Sequence, residues 1–322
     1  MITKDNIIRV CAMAFIAAPS LLTACSSEED NAILQEELCR IVVEVNEQPM
    51  TDALAPSREV ETRASATTTS TLNSFKMNGV YKDDYLNKYT KKEYTVTRQN
   101  SGWTIEPGTW PKDTNGDAVS SPEFYAHTGG TFYLNNDGSS YIRHIISEDA
   151  SNQHDLLVAK NSATYNSNEG VGKVSLTFDH ACAAVTFNVQ ITQTLAGKLV
   201  NEQLTINSIK LHNVFNDGKY DYNTGWSNVT YATSNDQQVK TCYTLNSGVL
   251  SVGIDPQDLS CDDIFVIPQS REANGTEGVY LDIAYTIGET SATAILPFSV
   301  NWEAGYKYTI NIRLGTKQIL IP

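Results

Sequence analysis

The sequence predicts an all-β chain of two tandem β-sandwich domains, and three observations point that way. Apolar residues recur at a period of two, most cleanly in Tyr306, Tyr308, Ile310, Ile312 and Leu314, which is the spacing that brings side chains to one face of a strand. Clusters such as Asn135-Asn136-Asp137-Gly138 and Asn216-Asp217-Gly218 part these runs, and turn chemistry at short intervals belongs to sandwiches rather than to parallel α/β units. Long helical periodicity is absent after the leader, and 322 residues leave room for about two domains once a leader and tether are set aside.

The leader comes first. Lys4 and Arg9 lead into an apolar stretch from Val10 to Ala18, and Leu22-Thr23-Ala24-Cys25 follows. That order is a bacterial export signal, with a core too short to span a bilayer. The run into Cys25 resembles the lipobox of bacterial lipoproteins, which implies a signal peptide over 1–24, cleavage before Cys25 and palmitate-type acylation of its thiol. A plain signal peptide with an incidental cysteine is the alternative. Residues 25–37 form an acidic tether in which Ser26-Ser27-Glu28-Glu29-Asp30 resembles the surface-export signal of Bacteroidales lipoproteins. A merely solvated tether is the other reading, and the two are compatible.

Residues 38–63 read as a removable first strand with a cleavable linker. Ile41, Val43 and Val45 fall on one face of Cys39-Arg40-Ile41-Val42-Val43-Glu44-Val45. The stretch from Asn46 to Thr71 holds Pro49, Pro56 and many Ser, Thr, Ala and Glu residues, too little apolar surface to pack, and reads as a mobile linker. Within it, Arg63 before Ala64 is an extended site that an arginine-directed protease can enter, with Arg58 as the alternative.

Alternation then returns at Tyr94 and Val96, at Phe132 and Leu134, and at Val174, Leu176 and Phe178. It continues at Val185, Phe187, Val189 and Ile191, set against Thr186, Asn188 and Gln190, and at Leu281, Ile283, Tyr285 and Ile287. Each run predicts a half-buried strand. The break at Asn166-Ser167-Asn168-Glu169-Gly170 places a boundary near Gly170 to Gly172. An N-terminal sandwich over 64–171, completed by strand 39–45 in the precursor, is therefore expected ahead of a C-terminal sandwich over 172–322.

A net charge of −14 argues against nucleic acid or an anionic membrane face as partner. Of the 6 cysteines, Cys11 lies in the leader and Cys25 is the acylation candidate; Cys182, within Ala181-Cys182-Ala183-Ala184, reads as a small buried hydrophobe. Cys242 and Cys261 could pair in an oxidising compartment. The 5 histidines, His127, His144, His154, His180 and His212, are never spaced as zinc ligands. Asp113, Asn115 and Asp117 begin like a calcium loop, yet Ala118 and Phe124 stand where glycine and glutamate belong, and Asx-rich turns explain the same residues. No nucleophile elbow, phosphate loop or dinucleotide fingerprint appears, so neither an enzyme nor a cofactor is expected, and a hydrolase ranks last. Trp103, Trp110, Phe124 and Tyr125 lie close in sequence; they are either core aromatics or a stacking platform for sugars.

Taken in order, several motifs resemble the fimbrillin family, the type V pilus subunits and related surface lipoproteins of Bacteroidales. They are Trp110-Pro111, Phe124-Tyr125-Ala126, Asp155-Leu156-Leu157-Val158-Ala159 and Val174-Ser175-Leu176-Thr177-Phe178-Asp179-His180-Ala181, followed by Ala184-Val185-Thr186-Phe187. Ile209-Lys210-Leu211-His212-Asn213-Val214, Ile267-Pro268-Gln269, Leu296-Pro297 and Trp302-Glu303-Ala304-Gly305-Tyr306-Lys307-Tyr308 complete the series. The resemblance implies two transthyretin-like sandwiches, export as an outer-membrane lipoprotein exposed at the cell surface, a cut after arginine, and donor-strand exchange with other fimbrial subunits. The donor-strand candidate is Ile319, Leu320 and Ile321, and its shortness suits an anchor, terminal or tip subunit, or a donor that recruits residues from Tyr306 onward. Burying Ile41, Val43 and Val45 at about 1.5–3 kcal/mol each would make the first strand worth roughly 5–9 kcal/mol. A non-polymerising surface lipoprotein or fimbrial anchor that binds glycan or a host ligand is the alternative.

Overall fold

A computed structural model describes residues 41–49, 61–62, 72–99, 102–166, 168, 171–199, 202–232, 242–245, 250–258, 264–315 and 319–320. Cys25, Arg58, Arg63, Ala64, Cys261 and Ile321 lie outside the described residues, as do the leader and the acidic tether. Strand is the dominant regular structure of the described residues, as the period of two predicts.

The first sheet runs in the order Glu61–Thr62, Thr177–His180, Leu157–Ser162, Glu123–His127, Ser74–Asp83, Lys88–Gln99 and Gly102–Glu106. Its long hairpin turns at Asp83, whose Oδ1 accepts from the Leu86 amide at 3.0 Å, while Asn87 adopts φ 46°, a conformation asparagine tolerates. Phe75, Met77, Tyr94, Val96, Phe124, Leu176 and Phe178 form one core under this sheet.

A second sheet centres on two neighbouring parallel strands, Ala183–Ile191 and Tyr306–Leu314. A third joins Cys242–Leu245, Leu204–His212, Tyr280–Ile287 and Thr290–Pro297. Their apolar faces share a single core, in which Phe187, Val189, Ile206, Leu281, Ile283, Ile310 and Ile312 are all fully buried. The short helix Gln193–Lys198 follows the central strand; Thr192 Oγ1 caps it by accepting from the Leu195 amide at 3.2 Å.

Four expectations are corrected. The boundary near Gly170 to Gly172 is bridged by pairing, since Tyr165–Asn166 pairs with Val171–Gly172 and the chain then returns Thr177–His180 to the first sheet. Nor are the two halves separate packing units. A four-stranded sheet takes Thr131–Leu134 and Ser140–Ile145 from one half, and Asp217–Asp221 and Gly225–Thr230 from the other. The larger core likewise mixes Phe132, Ile142 and Leu156 with residues beyond 180. The strand Ala183–Ile191, expected to be half-buried, is covered on both faces: Thr186 and Gln190 are buried and Asn188 is half-buried, its amide donating to Asn311 Oδ1 at 3.1 Å. It runs in the interior of its sheet, flanked by Tyr306–Leu314 on one side and by Gln257–Asp258 and Ile264–Val266 on the other.

The fourth correction concerns the front strand, which does not complete the first sheet. Ile41–Pro49 pairs antiparallel with Tyr306–Leu314 instead. A local pattern of apolar residues makes a strand eligible for any edge of matching length and face, and here the complementary edge belongs to the last long strand.

Candidate functional site

The edge of the second sheet is the site that the front strand defines. Tyr306–Leu314 buries Tyr308, Ile310, Ile312 and Leu314 and leaves the residues between them at least partly exposed, the alternation of a strand with one apolar face. Gly305 starts it at φ 78° and donates its amide to the Cys182 carbonyl at 2.9 Å. The Tyr308 hydroxyl accepts from the Glu303 amide at 2.9 Å. On its inner side the strand is held by Ala183–Ile191, from Ala184 opposite Lys307 to Ile191 opposite Leu314.

Its outer side is covered by the 9 residues Ile41–Pro49. Ile41 stands opposite Leu314, Val43 opposite Ile312 and Val45 opposite Ile310. Directly opposed positions of a sheet share a face, so the alternation seen in 41–45 is in phase with the buried alternation of its partner. Ile319–Leu320 reaches the far end of the same strand, with Ile319 opposite Leu314 and Leu320 opposite Arg313. Those two residues are also the partners of Ile41 and Val42, so the front strand and the tail converge on one end of one edge.

The other singled-out residues fall elsewhere. Asp113 Oδ1 accepts from the amides of Asn115 at 3.0 Å and Asp117 at 2.9 Å, and the Asp113 carbonyl accepts from Gly116 at 3.0 Å. This is the Asx-turn arrangement. Its neighbour Thr114 is tied to Asp83, whose carboxyl is held below the usual range first by the Thr114 hydroxyl and then by backbone amides.

Trp103, Trp110, Phe124 and Tyr125 do not form a shared platform. Trp103 packs edge-on against Phe75 at 5.4 Å. Trp110 lies 5.3 Å from Phe124 and donates Nε1–H to the Val119 carbonyl at 2.7 Å. Tyr125 belongs to the other core, against Phe132 and Tyr222. They are core aromatics, and Gly172 shows how tight that packing is: a Cβ there would lie 2.0 Å from the Trp110 ring.

The histidines are dispersed. His127 Nδ1 lies 2.7 Å from the Gly129 carbonyl, and burial lowers its pKa. Burial, with His127 nearby, pushes His144 down to about 4, against an opposing pull from Asp217. His180 pairs with Asp155. His212 stacks on Tyr280 at 4.5 Å, and burial lowers its pKa against the pull of Asp282. Cys182 is fully buried, and burial raises its thiol pKa well above the ordinary value. No group of three or more His, Cys, Asp or Glu side chains placed to hold a metal occurs among the described residues.

Sequence reasoning found the front strand but not its partner, because pairing between positions 41 and 314 leaves no local trace. It also passed over an open cleft of about 430 Å³ beside Tyr220, Trp226, Ser270, Asn301 and Glu303. Those residues come from distant stretches without a shared motif.

Residues 62–321 match the family described as fimbrillin-like. Among solved structures, the chain is similar to a protein assigned to cell adhesion from Bacteroides eggerthii, at 12% identity and a TM-score of 0.46 over 86% of this chain and 87% of that one. A second assigned to cell adhesion, from Bacteroides uniformis, is 15% identical, with a TM-score of 0.43 over 85% and 93%. A fimbrilin from Porphyromonas gingivalis is 9% identical, with a TM-score of 0.36 over 88% and 99%. No curated protein matches the chain.

Proposed function

The chain belongs to the fimbrillin-like family, and from that premise we propose that it is a structural subunit of a cell-surface fimbria. In this reading it is exported as an outer-membrane lipoprotein on Cys25, cut after Arg63 and assembled by strand exchange with other fimbrial subunits. The observation that carries it is the front strand. Ile41–Pro49 precedes the matched residues 62–321 and covers one edge of Tyr306–Leu314.

The physical sequence of events follows from that placement. A cut at Arg63, or at Arg58, separates 41–49 from the body while leaving the strands from Ser74 onward intact. Departure of the strand uncovers backbone donors and acceptors along Tyr306–Leu314, together with the rim of a core that holds Ile310, Ile312 and Leu314. An unpaired edge with an apolar face is a template for another extended segment. The incoming segment recovers both the ladder and the buried apolar area, a gain of about 1.5–3 kcal/mol for each large side chain covered. Proteolysis thereby licenses association, because the intact precursor fills its own edge.

Processing is tested by the N-terminal sequence of protein recovered from cell surfaces. A start at Ala64 is the expected result. A product that still begins at an acylated Cys25 throughout the surface population would contradict the scheme and favour a non-polymerising surface lipoprotein or an anchor.

A further inference from the structure

The cleft beside Trp226 adjoins the start of the edge strand just described, since its rim includes Glu303 and Ala304 and the Glu303 amide donates to the Tyr308 hydroxyl. One wall is the hairpin of Asp217–Asp221 and Gly225–Thr230, which places Tyr220 and Trp226 edge to face with ring centroids 5.5 Å apart at 74°. Both rings are half-buried. The indole is fixed in place, since Nε1–H donates to the Ala181 carbonyl at 2.5 Å. The rest of its lining comes from the ladder of Gln269–Arg271 with Val300–Trp302, from the neighbouring Pro268 and from the turn after Trp302. It presents Ser270, Asn301 and Glu303, all exposed. The side chains of these three make no hydrogen bond or ion pair within the described residues. No lysine or arginine lines the cleft.

We propose that this cleft binds a neutral saccharide, with an apolar face of a pyranose ring against Trp226 and Tyr220 and its hydroxyls on Asn301 and Glu303. Four properties select that chemistry. Partly exposed aromatic rings offer an apolar surface, and the indole's polar edge is already satisfied, which suits a ligand with one C–H face. An amide, a hydroxyl and a carboxylate together supply donors and acceptors for adjacent hydroxyl groups. The volume of about 430 Å³ is within the range of small-ligand sites, but the cleft is open, so a wholly apolar ligand would stay largely in water. Glu303, the missing cations and the net charge of −14 disfavour anionic sugars. Binding here needs no strand exchange.

The Trp226 Nε1–H signal, assigned by its loss in Trp226→Phe, reports on the site in the full chain labelled with ¹⁵N-tryptophan. Methyl glycosides of glucose, galactose, mannose and N-acetylglucosamine, with sialic and glucuronic acids as charged counterparts, are titrated against it. At least one neutral glycoside is expected to move the signal with a Kd of roughly 0.1–10 mM. The double variant Asn301→Ala, Glu303→Gln is expected to weaken that binding by about tenfold or more at an unchanged Tm. The proposal is overturned if no neutral glycoside moves the signal, if the double variant binds as well as the parent, or if only the charged sugars bind.

Discussion

At the scale of single residues, the chain shows how little space its aromatic core leaves. Gly172 faces the Trp110 ring so closely that a methyl group would overlap it, and Trp110 is itself held by Phe124 and by the Val119 carbonyl. Gly172→Ala is therefore expected to destabilise the fold by about 1–3 kcal/mol, read as a fall in the denaturation midpoint; an unchanged midpoint would mean that the ring has room to move. His144 provides a second test. Its folded pKa near 4 lies below the ordinary value of 6.5, so the unfolded chain binds more protons between those limits. The neutral imidazole contributes its full stability above about pH 6.5, and the contribution is lost as pH falls toward 4, up to about 3 kcal/mol in all. Melting curves from pH 7.5 to 4 should show a shallower decline for His144→Leu than for the parent, whereas parallel curves would refute the assignment. Of these features, the aromatic residues were visible in the sequence and their use as core was one of its two readings. The burial of His144 was not, because the strand Ser140–Ile145 gives no sign of what will cover it until its partner Asp217–Asp221 is known.

At the scale of elements, the strands themselves were legible and their neighbours were not. Leu281, Ile283, Tyr285 and Ile287 are buried in the alternation that predicted them, and Tyr308 to Leu314 follow the same rule. Ala183–Ile191 broke it, because Thr186 and Gln190, read as solvent-facing, are buried. The front strand was found from its period of two, yet assigned to the wrong half. Two consequences belong to this scale. Ile312 is fully buried at the middle of the shared edge, and Ile312→Ala is expected to cost about 2–5 kcal/mol in a denaturant titration; a cost under about 1 kcal/mol would show that this edge carries little of the core. The tail Ile319–Leu320 and the front residues Ile41–Val42 have the same partners, Arg313 and Leu314, so release of the front strand is also expected to change amide exchange at the end of the closing strand.

At the scale of the whole molecule, the tandem-sandwich description holds for strand content and for sheet class but not for independence of the halves. The four-stranded sheet that joins Ser140–Ile145 to Asp217–Asp221, the Arg143 guanidinium on Asp217 at 2.8 Å and 3.2 Å, and a core that draws on both halves make them cooperate. Fragments ending at 171 or starting at 172 are accordingly expected to stay unfolded alone, judged by dispersion in their amide spectra; a well-dispersed spectrum from either would contradict the shared core. Pairings across such sequence distances carry no local signature, since each strand advertises its apolar face and not its partner, and this is why domain division was the least legible level. The front strand is likewise distant in sequence from the strand it covers, and under the proposed function a single cut in between would free it. Treating the purified precursor with an arginine-specific protease tests that claim most directly. Loss of the segment containing 41–49, accompanied by ladders of discrete oligomers on gels, is the expected result. A cleaved protein that sheds this segment and remains a monomer at high concentration would contradict it.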